Sequence, residues 1–440
     1  MTTELQAIAF KARTHPKHRF QDLYGLLEPE LLYTSWGQLN KHAAPGVDGA
    51  RFPEYQQNLV QNITRLSAEL KTKRYRTKPI KRVFIPKSNG KQRPLGLPTI
   101  DDKLVQQSVS QILQSIWESD FLPFSYGYRP NKSAHQAVES LNQNLFRGRF
   151  GYIVEADIKG FFDNMSHDWL HKMLLQRVDD KALLSTIKQW LKAKIKSPEG
   201  RCVKSRSGTP QGGVISPILA NIYLHYVVDI WFEKVVKPRL RGDAMLIRYA
   251  DDFVCAFQHQ QDAEAFYRVL PKRLKRFDLE VAEEKTKIIR FNRYSPGRDK
   301  KFQFLGFEFL WELNAKGKAC LRRRTAPKKQ KATLTEFYRW IKFSRFKRLG
   351  EWLPSLKRKL TGFGNYFGLP DNSRSLTGLY KHVIDSLYKW LNRRSQRRSY
   401  NWAGLKQMLM CFGIRGMRVR RRSNVKVDWY LGACITRAYV

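Results

Sequence analysis

Two adjacent aspartates, Asp251 and Asp252, stand between Ile247-Arg248-Tyr249-Ala250 and Phe253-Val254-Cys255-Ala256-Phe257. The flanking runs are β-branched and aromatic and read as strands, and the acidic pair falls where a hairpin turns. A tight turn carries both carboxylates to the end of a two-stranded ribbon instead of sending them to opposite faces. Carboxylates so placed repel one another and call for a cation, and hard oxygen donors suit Mg²⁺ or Mn²⁺ better than zinc. A third carboxylate is within reach. In Tyr152-Ile153-Val154-Glu155-Ala156-Asp157-Ile158, alternation puts Tyr152, Val154, Ala156 and Ile158 on one face and Ile153, Glu155 and Asp157 on the other. If that strand neighbours the hairpin, Asp157, Asp251 and Asp252 form a three-carboxylate site suited to in-line phosphoryl transfer with two metals ~4 Å apart.

Charge indicates the partner. Of 440 residues, 81 are Lys or Arg and 38 are Asp or Glu, a net charge of +43. Such an excess repels itself unless it meets a polyanion, and nucleic acid is the obvious one; a ribosome-associated or merely basic protein is the plainer alternative. With 42% hydrophobic residues the chain can build a core, and its length suits two or three domains. Cys202, Cys255, Cys320, Cys411 and Cys434 form no Cys-x-x-Cys pair, so neither a disulfide framework nor a zinc cluster is expected. No apolar run approaches the ~20 residues that span a bilayer, and Met1-Thr2-Thr3-Glu4-Leu5 does not read as a signal peptide. A cytoplasmic protein with no membrane partner is expected.

Other motifs fall around the acidic pair. Ile80–Pro86 and Gln92–Gly96 read as a basic hairpin, from which Lys87, Lys91 and Arg93 project as a clamp for a triphosphate. Ser125–Pro130 is a loop, and a helix follows from Ser133; His135 there reads as structural. Phe161-Phe162 follows the Asp157 strand: one ring suits the core, the other the sugar of an incoming nucleotide. His167 and His171 are four apart on the next helix, but no third zinc ligand is visible. Ser207–Gly213 is a glycine-rich loop that lets backbone approach a ligand, with Gln211 able to donate and accept, and Ser216 reads as the N-cap of the helix after it. Phe302–Phe309 reads as one aromatic strand. Residues 321–359 carry 14 Lys and Arg and read as helical, Thr361–Gly368 reads as a break, and residues 393–422 carry 10 Lys and Arg with no acid. Basic residues interleaved with aromatics suit RNA, phosphates meeting cations while bases stack. Arg322, Arg323, Arg324, Lys328, Lys329, Arg393, Arg394, Arg420, Arg421 and Arg422 are the candidate nucleic-acid contacts.

In order, the blocks are the Lys87–Arg93 hairpin, Phe124–Pro130, Asp157, Thr209-Pro210-Gln211-Gly212-Gly213, Tyr249-Ala250-Asp251-Asp252, Lys285–Lys287 and Phe304-Leu305-Gly306. This series resembles reverse transcriptases, and more narrowly the group II intron-encoded reverse transcriptase/maturases. Pro45-Gly46-Val47-Asp48-Gly49 resembles the family's N-terminal extension motif, and Lys359–Phe367 its maturase thumb signature; the likeness runs from about Pro45 to about Trp402. It implies an α+β right-hand polymerase fold: a helical N-terminal extension (1–75), fingers and a palm with an antiparallel sheet (76–315), a helical thumb (316–398) and a short basic C-terminal region (399–440). Asp157, Asp251 and Asp252 match the metal-binding aspartates, which hold two Mg²⁺, with Mn²⁺ as the other choice. Lys87 and Arg93 match triphosphate contacts, Gln211 the nucleotide and template pocket, Phe162 the aromatic that excludes ribonucleotides, and Lys287 or Lys285 the group beside the leaving pyrophosphate. The expected activity is RNA-directed DNA synthesis from a DNA or RNA primer using dNTPs, with intron RNA binding and splicing. Both a monomer and a homodimer fit. The lack of cysteine pairs near the C-terminus implies that the family's His/Asn nuclease is absent. The alternatives are a retron enzyme, against which Phe304-Leu305-Gly306 and the thumb signature argue, a domesticated enzyme in antiviral defence, and a mainly RNA-binding splicing cofactor.

Overall fold

The structure is a computed structural model and describes residues 2–86, 90, 92–204, 207–297 and 300–419. It is α+β, as expected, with two compact units. One comprises Met1–Ser133, Ala156–Phe253 and Glu264–Lys287; the other comprises Ala134–Glu155, Val254–Ala263 and Ile288–Val440.

The first unit is built on the helix Ile100–Trp117. Thr99 caps it by accepting from Asp102 N, and nearly every turn is buried, Leu104, Val105, Val109, Ile112 and Leu113 completely. Ser35 of the helix Pro29–Gln38 meets Ser108 at 2.7 Å between hydroxyls, so that polar pair is satisfied inside the packing. The two strands of the basic hairpin pair as read, while Lys87 and Lys91 of its turn lie outside the described residues. β1 (Ile80–Pro86) pairs antiparallel with β2 (Gln92–Leu97), Pro86 opposite Gln92, and β1 also runs parallel to β4 (Lys194–Lys196), which pairs with β5 (Cys202–Lys204).

A second sheet has the order β6–β7–β3–β8, from β3 (Tyr152–Asp157), β6 (Ala244–Tyr249), β7 (Asp252–Phe257) and β8 (Lys287–Arg290). The division between the units falls within β3, β7 and β8. Asp157 ends its strand and Asp252 opens the neighbouring one, as the alternation and the turn required. Glu283–Lys285 is a 3-10 turn, and strand resumes only at Lys287. The helix after the glycine-rich loop starts one residue earlier than read: Ile215, not Ser216, is its N-cap, and Ser216 Oγ bonds Thr209 Oγ1 at 2.7 Å and Pro210 O at 3.1 Å.

In the second unit, Phe302–Phe309 is two strands, not one. β9 (Lys301–Phe304) and β10 (Phe307–Leu313) pair antiparallel around Leu305 (φ +50°) and Gly306 (φ +79°). β11 (Ala319–Thr325) completes that sheet, so Arg322–Arg324 lie on a strand instead of the helix read from composition. Helices Pro327–Ser344, Leu349–Phe367, Ser373–Leu391 and Trp402–Cys411 surround a core that includes Ile341, Leu353, Leu356, Val383 and Leu387. Each such side chain contributes about 1.5–3 kcal/mol by leaving water. The break expected at Thr361–Gly368 does not occur: the helix Leu349–Phe367 runs through both Gly362 and Gly364. Packing outweighs glycine's weak helix propensity, because Tyr366 OH bonds Leu305 O at 2.9 Å and Phe367 packs on Phe307 with ring centroids 5.1 Å apart.

Candidate active site

Arg93, Asp157, Phe162, Gln211, Asp251, Asp252, Lys285 and Lys287 all lie in the first unit. The turn from β6 to β7 places Ala250 at φ +56°, a left-handed conformation that costs an L-residue roughly 1–2 kcal/mol. Arg248 holds it there. Its side chain is fully buried. Nε and Nη2 donate to the two oxygens of Asp229 at 2.7 and 2.6 Å, Nη1 donates to Asn221 Oδ1 at 3.2 Å and to the Ala250 carbonyl at 3.0 Å, and Nη2 also donates to Ser125 Oγ at 2.7 Å. Every guanidinium donor is therefore used. The Phe124–Gly127 segment joins the clamp: Arg248 N bonds Phe124 O, Tyr126 N bonds Arg248 O, and Asn221 Nδ2 bonds Gly127 O at 2.7 Å. A Cβ on Gly127 would lie 2.3 Å from Ala250 N, so only glycine lets that loop lie against the turn. In the sequence Arg248 reads as one more strand residue; nothing local shows that it supports the aspartates.

Asp157 is held by its backbone, which accepts from Ala282 N at 2.8 Å, and its side chain is ion-paired with Lys285 Nζ. That hydrogen bond is the main cause of the raised Lys285 pKa. Burial pushes the Asp251 carboxyl above its usual range, and the negative charge of Asp157 adds to the rise, while Arg93 and Arg248 oppose it. Asp157 and Asp251 are thus electrostatic neighbours; Asp252, next to Asp251 in sequence, is half-buried. Among the described residues no three His, Cys, Asp or Glu side chains converge closely enough to form a complete ligand set. The donor chemistry fits a hard divalent cation: the donors are oxygens only, and their mutual repulsion and burial would be relieved by one.

Of the two lysines that the motif leaves open, Lys285 is the one on Asp157; Lys287 opens β8 with an exposed side chain. Arg93 and Gln211 come together, Nε to Oε1 at 2.9 Å, and Gly96 N bonds Gln211 O at 2.6 Å. Gly212, at φ +104°, lets that contact form, since a Cβ there would meet Gly96 O at 2.9 Å. Phe162 is 8% exposed and Phe161 2% exposed, packed edge-to-face. The Phe162 carbonyl accepts from Thr209 N at 2.8 Å, tying the glycine-rich loop to the residues after β3. His167 also serves that loop, with Nε2 2.7 Å from Gly208 O, and His135 meets Tyr366 O at 2.7 Å. Lys87 lies outside the described residues. Tyr128 is an addition that residue-by-residue reading missed. It sits at φ +57°, 46% exposed, with its ring 6.5 Å from that of Tyr249, and its hydroxyl pKa is raised by burial and then by Asp251.

The basic candidates divide. Arg323 is buried and bonded to Asp371 and Glu139, so its charge is used within the fold and is not free to meet phosphate. Arg324 pairs with Glu312 at 2.5 Å, and Arg322 stands 3.6 Å from Asp371. Lys328 and Lys329 are exposed in the first turn of their helix, and Arg394 bonds Lys347 O at 3.3 Å. Arg393 follows the helix Ser373–Leu391 and is exposed, its guanidinium 5.8 Å from the Trp390 ring centroid. Arg420, Arg421 and Arg422 lie outside the described residues. No helix among the described residues is long and apolar enough to cross a membrane.

The family model described as "Reverse transcriptase (RNA-dependent DNA polymerase)" matches residues 85–309, just over half of the chain. Protein YkfC of Escherichia coli K12 is 36% identical over 245 residues, covering 54% of this chain and 64% of that protein. The group II intron-encoded protein LtrA of Lactococcus lactis is 30% identical over 303 residues, covering 66% of this chain and 50% of that protein. The chain therefore spans between half and two thirds of the length of these relatives. Among solved structures, telomerase from Candida albicans superposes with a TM-score of 0.42 at 14% identity, covering 82% of this chain and 67% of that one.

Proposed function

Because the chain belongs to the reverse transcriptase (RNA-dependent DNA polymerase) family, we propose that it is an RNA-directed DNA polymerase, extending the 3′-hydroxyl of a DNA or RNA primer on an RNA template with dNTPs. The observation that carries the reading is the turn at Ala250, whose conformation Arg248 enforces, which carries Asp251 and Asp252 in the same unit as Asp157, Arg93 and Gln211, with the charge of Asp157 felt at Asp251. Asp157, Asp251 and Asp252 would hold two Mg²⁺ ions, or Mn²⁺ in their place, which supply charge neutralisation at the reacting phosphate and activation of the attacking hydroxyl. The residues of the chain do the rest. The Arg93 guanidinium, and Lys87 with it, place positive charge on the triphosphate side. The Gln211 carboxamide orients the nucleotide against the template. The Phe162 ring takes the sugar face and rejects a 2′-hydroxyl, and Lys285, already on Asp157, is the cation beside the leaving group; Lys287 is the alternative. In this reading residues 1–75 are an extension, 76–315 fingers and palm, 316–398 the thumb and 399–440 a basic nucleic-acid-binding region.

The likeness to a group II intron-encoded protein, together with exposed Lys328 and Lys329, supports a second role, binding of intron RNA in splicing. The test of the polymerase is Asp251→Asn: primer extension should fall on the order of 10³-fold or more with the circular dichroism of the wild type retained. Wild-type rates in that variant would remove the assignment.

A further inference from the structure

The segment read as a break, Thr361–Gly368, is largely helical, and one face of it lines a pocket. Lys357, Leu360, Thr361, Gly364 and Asn365 project from the helix Leu349–Phe367 at the i, i+3, i+4, i+7, i+8 spacing of a single face. Opposite them runs Gly413–Arg418. The space between has a volume of about 280 Å³. Its far wall is anchored: Ile414 is 3% exposed in the helical core, its N bonds Leu409 O at 2.9 Å, and Tyr380 OH reaches its carbonyl at 3.4 Å. Glycines set how closely the walls approach. A Cβ on Gly364 would stand 3.4 Å from Met417, and one on Gly413, at φ +62°, would stand 2.8 Å from Lys357 Nζ.

The lining is chemically uneven in a useful way. Leu360, Ile414 and Met417 are apolar; Thr361 and Asn365 present a hydroxyl and a carboxamide with no hydrogen bond among the described residues. Lys357, Arg415 and Arg418 are exposed around it, and none has an ion-pair partner among the described residues. This differs from Arg323 and Arg324, whose charges are met by acids of the fold. Apolar wall, edge-reading polar groups and unmatched cations are the three requirements of an unstacked nucleotide: a face to lie on, partners for the base edge, and counter-charge for its phosphates.

We propose that this pocket receives one unpaired nucleotide of an RNA strand, its base lying on the apolar side of the pocket beside Met417 with its edge toward Thr361 and Asn365, its flanking phosphates on Lys357, Arg415 and Arg418. RNA as the partner rests on the polymerase reading above; the pocket's preference for an unpaired nucleotide does not. The site makes the protein a reader of loops and bulges through the helical part of its second unit.

The test measures binding of two fluorescein-labelled probes to the full chain at fixed salt: a single-stranded RNA and a duplex RNA with the same number of phosphates. Thr361→Val combined with Asn365→Ala should weaken the single strand about tenfold, the worth of one or two hydrogen bonds, and leave the duplex within twofold. Arg415→Gln with Arg418→Gln should weaken both and lower the salt slope for the duplex by about two. Equal loss on both probes from the Thr361/Asn365 change, or no loss on either, overturns the pocket. Should that variant misfold, photocrosslinking of the single strand, substituted with 4-thiouridine, to the wild type decides: crosslinks within 357–365 or 413–418 are expected, and crosslinks confined elsewhere overturn the proposal. Primer extension run on the same preparations separates the two claims: failure there with the probe preference intact removes the polymerase and leaves the site.

Discussion

Arg248 and Arg415 are the same side chain in opposite circumstances. Arg248 is enclosed, with every N–H donating to a partner, two of them on the carboxylate of Asp229. Arg415 is exposed with no partner among the described residues. The buried guanidinium gives up hydration that only well-placed acceptors can replace, so it fixes whatever those acceptors belong to: here a strained turn and the loop beside it. The exposed one keeps its water and fixes nothing until a polyanion arrives. A net charge of +43 therefore does not describe one surface. Part of it is internal scaffolding, Arg323 between Asp371 and Glu139 being the example in the second unit, and only the remainder is available to a polyanion.

The contrast breaks most visibly at Arg248. Arg248→Lys keeps the charge but not the fork, so it loses the bidentate contact and cannot reach Ala250 O at the same time. The buried acceptors on Ser125, Asn221 and Ala250 then lose their donors, at about 1–3 kcal/mol each, and we expect a loss of about 3–5 kcal/mol in urea unfolding. The surviving folded protein should extend primers more slowly without a comparable change in KM for template, since the change loosens the turn and not the binding surface. A stability within about 1 kcal/mol of wild type would show that the clamp is not what holds the turn.

A pH effect of similar origin follows at His225. It is 3% exposed, its Nδ1 has no hydrogen-bond partner among the described residues, and it lies in the π-helical turn His225–Asp229 that carries the acid of the clamp. Burial pulls its pKa from 6.5 down to about 4, with Arg248 and Arg129 adding to the fall and Asp229 opposing it. The folded state thus binds fewer protons than the unfolded one between those values. The stability is fully present above pH 6.5 and is lost as pH falls toward 4, by about 3 kcal/mol in all. Urea midpoints measured from about pH 7 to about pH 5 should fall in the wild type and fall less in His225→Phe; parallel slopes would remove His225 as the cause.

What could be read in advance divides along the same line. The Asp157 strand, the aspartate turn and the Arg93 hairpin were legible because each is written in local spacing: alternation, a turn between two β-rich runs, a basic loop between strands. The clamp was not, because Ser125, Asn221, Asp229 and Arg248 meet only across the fold. Nor was the helix through Gly362 and Gly364, where contacts from Leu305, Phe307 and Met417 outweigh the local propensity. Arg322–Arg324 looked like a basic run for phosphate; the strand alternates them, and partners at Glu139, Glu312 and Asp371, distant in sequence, account for their charge.

The smallest expected effect sharpens the comparison from its exposed side. Lys328 is exposed in the first turn of the helix Pro327–Ser344, and no acid of the described residues pairs with it. A cation at that end of a helix gains nothing from the helix dipole and contributes little to folding, so Lys328→Gln should change the unfolding free energy by less than about 0.5 kcal/mol. If Lys328 belongs to the charge available to RNA, the same variant should lower the slope of log affinity against log salt by about one, because one phosphate contact releases roughly one counterion. The effect at any one salt concentration is small, but the slope isolates it, because hydrogen-bonded and stacked contacts leave the slope unchanged. Arg323→Gln is the matched control: it should leave the slope as it is while costing folding stability. A variant pair with these two outcomes reversed would mean that burial does not sort the basic residues of this chain into scaffold and contact.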